Sequence, residues 1–393
     1  MSPANASRQP LPEDPSVTVE TLRQFRHVSI YGWALLLFAT LLIEKSWSGA
    51  ASGQWLLQAG LLWMLVLHET KAYLPLNRKG PEDSPYVNLG LANRLTIVRG
   101  WLIACTGGFL FQPSPVGAFA FAPAGFYAIS AVIDRLDGYA ARRTGQVSQM
   151  GIELDTVFDA LGMAIAPLLA VWYGKLHWSY LLVSCAYYLF KWGQSCRQKN
   201  GLPVFALQPK LSRRAIAGFQ MGFIAVALFP TFQPPATRIA GFAFMLPVLI
   251  GFMIDWLVVS GRVSDKSILN HKVLEHGERL IRFFTQPLLR LVLAGSILTK
   301  SFHYLGNQST SIQDNRLILF GMIICGALIL LGIMGRTAAL VVLLLLGWPL
   351  SFQPIHLVDY VLLPATVWIL VLGTGFFSLC TWDEDWVNRY DGE

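Results

Sequence analysis

Four carboxylates lie close together in the sequence, at the ends of two long apolar runs. They are Asp134, Asp137, Asp155 and Asp159. Residues three or four apart share one face of a helix, so each pair is expected to occupy one face of its own helix. Carboxylates that converge in an apolar setting repel one another unless they are protonated or bind cations. Oxygen ligands favour Mg²⁺, Mn²⁺ or Ca²⁺ over Zn²⁺, so the spacing predicts a divalent metal site that can also engage a substrate phosphate.

Small residues and an arginine accompany the carboxylates. Gly138 and Ala141 are small enough to let a ligand approach the helix backbone, and Gly151 allows the same approach at the start of the next helix. Arg142 offers a forked donor for a phosphate. A single aspartate here would be interpreted as an interfacial charge at a helix end. Four at these offsets indicate a functional site, because ionisable groups at membrane depth are costly.

The complete pattern is DxxDGxxAR, then eight residues, then GxxxDxxxD, from Asp134 to Asp159. It resembles the signature of the CDP-alcohol phosphatidyltransferase family, over about residues 88–260. The resemblance implies a six-helix membrane enzyme that transfers a phosphatidyl group from CDP-diacylglycerol to an alcohol in phospholipid biosynthesis and releases CMP. It also implies one or two Mg²⁺ or Mn²⁺ ions held by Asp134, Asp137, Asp155 and Asp159, with Asp159 as the general base. The cytidine diphosphate would be bound by Gly138, Ala141, Arg142 and Gly151.

A second stretch, LANRLTIVR, begins the first helix of the predicted six-helix core. It is similar to the Asn-x-Leu-Thr-x-x-Arg segment of the same family and adds Asn93, Thr96 and Arg99 to the predicted CDP site. Thr96 and Arg99 are three residues apart and share a face. Without the main signature, these residues would be interpreted as a helix-capping Asn and an Arg that reaches the membrane interface.

Two stretches predict different acceptor alcohols. Lys210, Arg213 and Arg214 loosely resemble the family branches that accept phosphorylated polyols, and helix N-termini and guanidinium groups favour phosphate. They predict glycerol phosphate or inositol phosphate, although ordinary anchoring at the cytosolic interface explains the same cations equally well. The segment GIELDTVFDALGMAIAPLL resembles the serine-accepting branch, so serine is an alternative.

Three further alternatives stay open. One is transfer from a soluble CDP-alcohol to a lipid alcohol, and another is a catalytically inactive scaffold. The third is a cation-coupled transporter that uses the aspartates as an ion site, against which the lack of an inverted internal repeat counts.

The elements that position these residues are predicted to be membrane-spanning helices. Hydrophobic residues make up 54% of the 393 residues and charged residues only 13%, whereas a soluble domain carries about a quarter charged residues. The sequence contains about twelve apolar runs long enough to cross a bilayer. They lie at 27–44, 53–70, 94–112, 116–134, 151–174, 177–195, 214–233, 238–260, 286–304, 316–334, 336–352 and 355–380.

The predicted fold is therefore an all-α integral membrane protein in which a six-helix core is flanked on both sides. The expected segments are a cytosolic N-terminal stretch (1–26), a helix pair (27–70), the core (88–260), an amphipathic linker (261–285) and a four-helix block (286–382). Residues 286–380 also resemble, weakly, the DoxX-type membrane family.

The distribution of basic residues predicts the orientation. Five of the 30 Lys and Arg residues would fall on one side of the membrane and nearly all others on the opposite side. The five are Lys45, Lys175, Arg238, Lys300 and Arg316. The positive-inside rule then places both termini and the aspartate loop in the cytosol of a bacterial-type inner or plasma membrane.

The charge and the cysteine content limit which partners and metals are expected. The net charge of +7 suits an anionic membrane surface, and without a soluble basic face no nucleic-acid partner is expected. The five cysteines lack CxxC spacing, so neither disulfides nor zinc are expected. The expected partners are CDP-diacylglycerol or another CDP-alcohol, a small alcohol and membrane lipids, and a homodimer is compatible with this assignment.

Overall fold

The fold is known from a computed structural model. It describes residues 17–45, 47, 49–205, 207, 211–262, 277, 279–306 and 312–387, without the side chains of 211–213, 303–306, 312–316 and 385–387. Most of the predicted N-terminal stretch (1–26) and most of the predicted linker (261–285) therefore lie outside the described residues.

The described residues form thirteen α-helices and no β-strand, which confirms the predicted all-α class. An isolated bridge joins Ile333 to Cys380. The helices are α1 (Val19–Glu44), α2 (Gly49–Tyr73), α3 (Leu91–Gly107), α4 (Ala122–Thr144), α5 (Gln149–Trp172), α6 (Leu181–Lys199), α7 (Leu211–Leu228), α8 (Ala236–Val259), α9 (Gln286–Gly306), α10 (Ile312–Leu331), α11 (Gly335–Leu350), α12 (Asp359–Leu372) and α13 (Trp382–Val387).

Each of the twelve predicted apolar runs overlaps one of the helices α1 to α12. Among the described residues, six helical stretches are long and apolar enough to cross a membrane: Val19–Glu44, Gly49–Leu76, Gly117–Thr144, Gln149–Trp172, Ala236–Val259 and Ile281–Phe302. Four apolar helical stretches are shorter: Arg214–Leu228, Leu317–Leu331, Gly335–Leu350 and Asp359–Leu372. Helices satisfy their own backbone polar groups in lipid. The chain is a multi-pass integral membrane protein.

Helices α3 and α6 belong to neither group because both carry polar side chains. Helix α3 contains Arg94 and Arg99, and α6 contains Lys191, Arg197 and Lys199. In α3 the polar residues include the predicted site residues Asn93, Thr96 and Arg99.

The last apolar run ends earlier than its hydropathy predicts. Helix α12 stops at Leu372 because Gly373 adopts a left-handed conformation, with φ at +86°. The chain then turns, and Cys380 exchanges backbone hydrogen bonds with Gly332 (3.0 Å) and Met334 (3.1 Å). Residues 373–380 thus form a connection that closes onto the start of α11.

The described residues divide into two compact units. The first contains residues up to 112 together with 129–162. In it, α2 packs against both α1 and α3. The indole nitrogen of Trp101 donates to the Gly32 carbonyl at 3.0 Å, and that of Trp55 donates to the Cys105 carbonyl at 3.2 Å. The N-terminal helix pair therefore supports α3, the helix that carries Arg99.

The second unit contains residues 113–128 and the residues from 163 onward. Its core includes side chains of α8 to α12, and Trp368 of α12 donates to the Ala243 carbonyl of α8 at 3.1 Å. Lys300 of α9 forms a buried ion pair with Asp359 of α12. The predicted segment boundaries at 88, 260 and 286 stay a prediction.

Candidate active site

The centre of the candidate site is a buried guanidinium, that of Arg99 on α3. Its side chain is only 1% exposed. Its Nη1 atom lies 2.8 Å from Asp134 Oδ1 and 2.6 Å from Asp155 Oδ1, and its Nη2 atom contacts Asp159 Oδ1. Carboxylates from α4 and α5 thus meet on one cation supplied by α3.

Three of the four signature aspartates form a cluster that could hold a metal ion. Carboxylate oxygens of Asp134, Asp155 and Asp159 all lie within 4.8 Å of one another. Two oxygens on opposite sides of a Mg²⁺ ion are about 4 Å apart, and about 5 Å for Ca²⁺. The all-oxygen donor set therefore fits the hard divalent cation that the family resemblance implies, and the oxygens would draw together by less than about 1 Å around Mg²⁺.

Asp137 lies outside this cluster and has a partner of its own. It is 7% exposed, and its Oδ2 atom accepts a hydrogen bond of 2.9 Å from Thr96 Oγ1. Thr96 and Arg99 are three apart on α3, and Asp134 and Asp137 are three apart on α4. Two matching helix faces are thus joined by two polar contacts.

Asn93 belongs to a hydrogen-bond network that joins α3 to its neighbours. Its amide nitrogen donates to Asn77 Oδ1 (3.0 Å) and to the Leu89 carbonyl (2.9 Å), and its amide oxygen accepts from Ser148 Oγ (3.0 Å). These bonds use both amide protons, so Asn93 positions α3 in this structure. Its predicted contact with CDP stays a prediction.

Gly151, near the start of α5, lies beside Asn93. A Cβ atom at this position would be 2.8 Å from Asn93 Oδ1 and 3.2 Å from Ser148 Oγ. The Gly151 backbone N–H donates to Ser148 Oγ at 3.0 Å. Glycine therefore permits the close approach of α3 and α5, which in turn brings Arg99 to Asp155 and Asp159.

Two polar residues of this network, Ser148 and Asn77, are not among the residues predicted from the sequence. Ser148 precedes the first residue of α5, and serine before an apolar helix is a known N-cap signal that could have identified it. Asn77 lies in the connection before α3, where no sequence pattern distinguishes it.

The remaining predicted CDP residues lie at the C-terminal end of α4. Arg142 is exposed, and its Nη1 atom lies 3.4 Å from where a Cβ of Gly138 would be. The guanidinium therefore folds back along α4 over the glycine, one turn from Ala141, which is half-buried. A larger residue at position 138 would displace Arg142.

The predicted acceptor residues are only partly described. Lys210 lies outside the described residues, and so does the side chain of Arg213. Arg214 is exposed on α7. Their predicted role in binding a phosphorylated acceptor stays a prediction.

Residues 89–253 match the family model of the CDP-alcohol phosphatidyltransferases. The chain contains a CDP-alcohol phosphatidyltransferase domain. This confirms the predicted family resemblance, and the predicted bounds of 88 and 260 stay a prediction. The acidic cluster, Arg99 and the Asn93 network all involve residues of this domain. The weaker resemblance of residues 286–380 to the DoxX-type family stays a prediction.

One curated relative matches a short stretch of the chain. The CDP-diacylglycerol–serine O-phosphatidyltransferase of Methanocaldococcus jannaschii is 49% identical over 39 residues, which are 10% of this chain and 19% of that protein. The chain thus aligns with about a fifth of that relative's length. No solved structure matches the chain.

Proposed function

We propose that the protein is a metal-dependent enzyme that moves a phosphatidyl group from CDP-diacylglycerol to the hydroxyl of a small polar alcohol and releases CMP. The observation that supports it best is the cluster of Asp134, Asp155 and Asp159, whose oxygens lie within 4.8 Å of one another inside the matched domain. Such a cluster suits a reaction whose substrate carries a diphosphate and therefore arrives with bound cations.

Asp134, Asp155 and Asp159 would hold a Mg²⁺ or Mn²⁺ ion, and Asp137 would be a further ligand through the oxygen that Thr96 does not use. When bound, the ion neutralises charge on the diphosphate and on the departing CMP. The cluster is open to substrate, because the exposed fractions of its side chains are 24% for Asp134, 50% for Asp155 and 43% for Asp159.

Asp159 would be the general base. The acceptor oxygen attacks the phosphorus that carries the diacylglycerol, the bond from that phosphorus to the CMP oxygen breaks, and the acceptor proton moves to Asp159. Since Asp159 Oδ1 contacts Arg99, the other oxygen, Oδ2, would receive the proton. A positioned base of this kind contributes about 10²- to 10⁴-fold to the rate.

Arg142 and Arg99 would have different roles, one in binding substrate and the other in positioning the carboxylates. Arg142 is exposed beside Gly138 and can donate to the diphosphate, as the signature implies. Arg99 is buried among carboxylates and would orient Asp155 and Asp159 before substrate binds. Asn93 would fix the approach of α3 to α5 through Ser148.

Serine is the acceptor that the comparison favours. The matched archaeal protein is named for serine, and the segment around Asp155 and Ala166-Pro167 resembles the serine-accepting branch. The phosphorylated polyols predicted from Lys210, Arg213 and Arg214 are the second candidate. The two differ in charge, so a direct acceptor comparison separates them.

The test uses the purified full-length protein in detergent with CDP-diacylglycerol and Mn²⁺ or Mg²⁺. Serine, glycerol phosphate and inositol phosphate are supplied separately, and CMP is measured. We expect CMP release with one acceptor class, its loss with EDTA, and a reduction of at least 100-fold in Asp159→Asn.

Asp83→Asn is the matched control, because Asp83 is an exposed carboxylate in the connection before α3. It should release CMP at the wild-type rate. If Asp159→Asn also keeps that rate, Asp159 is not the base. If no CDP-alcohol yields CMP under any condition, the enzyme assignment fails and the cation-coupled transporter becomes the better reading.

We also propose that the site opens to the cytosol of a bacterial-type inner membrane, with both termini on the same side. The excess of Lys and Arg in the connections on that side supports this orientation. A cysteine introduced at Arg143, in the exposed last turn of α4, should react with a membrane-impermeant thiol reagent only in inside-out vesicles. Labelling in right-side-out vesicles would reverse the orientation.

A further inference from the structure

Arg336 is a buried cation that the proposed reaction does not use. It is 7% exposed and lies in the first turn of α11. Its Nε and Nη1 atoms have no hydrogen-bond partner, and its guanidinium carbon lies 5.8 Å from the centre of the Phe219 ring. Burying a guanidinium without hydrogen-bond acceptors is costly, even at a helix end. The carboxylates of Asp383 and Glu384 lie near enough to stabilise its charge, but neither forms a hydrogen bond with it among the described residues.

The backbone before Arg336 holds it in place. Met334 adopts a left-handed conformation (φ +46°), and its N–H donates to the Cys380 carbonyl at 3.1 Å. Gly335 lies so close to Thr374 that no side chain would fit between them. The guanidinium is thus fixed at this end of α11.

An apolar cavity of about 290 Å³ is lined by residues of α7, α8, α11 and α12. Phe219, the ring beside Arg336, lines it. Leu340, Leu343 and Gly347 also line it and follow Arg336 by four, seven and eleven residues, so they share its helix face. The cavity therefore extends along α11 away from the charge.

The size and the opening of the cavity suit a hydrocarbon chain. An apolar cavity of about 150 Å³ can bind benzene, so about 290 Å³ has room for a longer apolar segment. Leu340 and Leu344 line the cavity and are still 46% and 42% exposed. The cavity thus opens sideways on an apolar helix surface, from which a membrane lipid could enter.

A carboxylate lies beside Arg336 at the same helix end. Asp383 is 5% exposed, and its Oδ2 atom accepts from the Thr337 N–H at 3.0 Å. Its Oδ1 atom has no hydrogen-bond partner, and the described structure contains no ion pair between Arg336 and Asp383. Arg336 and Asp383 therefore both have unused hydrogen-bonding capacity, and Phe219 beside Arg336 lines the apolar cavity.

We propose that Arg336 and this cavity bind one phospholipid with a primary-amine headgroup, taken from the surrounding membrane. One acyl chain occupies the cavity, the phosphate accepts hydrogen bonds from Arg336, and the ammonium donates to Asp383. Free phosphate would leave the cavity unfilled, and a neutral lipid would leave Arg336 without an acceptor. The bound lipid supports the packing of α7 and α8 against α11 and α12 and takes no part in the transfer reaction.

The test is native mass spectrometry of the delipidated full-length protein with phosphatidylethanolamine, phosphatidylcholine or phosphatidylglycerol added in turn. We expect one phosphatidylethanolamine to bind, with a dissociation constant roughly ten- to a hundredfold higher in Arg336→Met. Gly222→Leu should weaken binding of the same lipid, because Gly222 lines the cavity and a Cβ there has no atom within 4 Å. Arg262→Met, at an exposed arginine, should bind like wild type.

Three results would overturn the proposal. The first is equal binding of phosphatidylethanolamine by the wild type, Arg336→Met and Gly222→Leu. The second is equal binding of phosphatidylglycerol, which has no ammonium for Asp383. The third is displacement of the bound lipid by equimolar CDP-diacylglycerol, which would assign the cavity to the substrate. Because the readout is lipid binding, a failure of the CMP assay does not affect this test.

Discussion

Replacing Arg99 with methionine should make the acidic cluster bind metal more tightly. Arg99 contacts Asp134, Asp155 and Asp159, the same carboxylates whose spacing fits a divalent cation. A metal ion must therefore compete with the guanidinium for these oxygens. Methionine keeps much of the apolar stem volume and removes the charge.

The size of the effect follows from the contacts. Partly exposed ion pairs contribute at most about 1 kcal/mol each, so three contacts oppose metal binding by roughly 1–3 kcal/mol. Since 1.4 kcal/mol is about a factor of ten, we expect Arg99→Met to bind Mn²⁺ about 5- to 140-fold more tightly. In EDTA the variant should be less stable, because two carboxylates 4.8 Å apart repel by about 0.9 kcal/mol in water and about 3.5 kcal/mol at a dielectric constant near 20.

Two experiments on the same preparation measure these effects. Isothermal titration with Mn²⁺ measures the affinity for the metal, and thermal unfolding in EDTA and in saturating Mn²⁺ measures the stability. Arg94→Met is the control, because Arg94 is an exposed arginine on the same helix. A variant that binds Mn²⁺ no better than wild type, or that is not destabilised in EDTA, would refute the idea that Arg99 and the metal compete for the same oxygens.

Further predictions concern contacts around the site and in the second unit. Gly151→Ala should lower the unfolding temperature, since its Cβ would meet Asn93 Oδ1 at 2.8 Å and overpacking costs about 1–3 kcal/mol; Gly125→Ala, where a Cβ has no atom within 4 Å, should not. Thr96→Val should cost about 1.5–3 kcal/mol in unfolding free energy through the lost bond to a carboxylate, and Thr96→Ser should recover most of it. Burial lowers the pKa of Lys175, between α5 and α6, from 10.5 to about 8. The folded protein thus binds this proton less tightly than the unfolded chain, so stability should rise from about pH 8 to about pH 10.5, and this rise should be absent in Lys175→Met.

The helices, and the grouping of the signature aspartates on facing helices, can be predicted from the sequence. Apolar runs of bilayer length predict the helices because backbone groups in lipid have no other partners, and the overlap of all twelve runs with α1–α12 reflects this constraint. The aspartate spacing predicts shared helix faces by helical geometry alone. The same spacing also indicates a CDP-alcohol phosphatidyltransferase domain, which the match to residues 89–253 confirms.

The contacts between helices are not readable in the same way. The position of Arg99 among three carboxylates depends on how closely α3 approaches α5, and Asn93, Ser148 and Gly151 set that approach. Hydropathy also predicts that α12 continues beyond Leu372. The apolar pattern contains no information about the left-handed conformation of Gly373, which ends the helix. A single sequence contains the residues of these contacts but not which of them meet.

The ion pair of Lys300 and Asp359 bears on how the protein is made. The two residues are 59 positions apart and belong to the first and last of the four helices α9 to α12. Lys300 lies near the C-terminal end of α9 and Asp359 is the first residue of α12, so each charge costs less on insertion than the roughly 2.5–3.5 kcal/mol of a charge at a helix centre. Helix α9 can therefore enter the bilayer before α12 with Lys300 at the membrane interface, and the two charges become buried together only when α12 packs against α9.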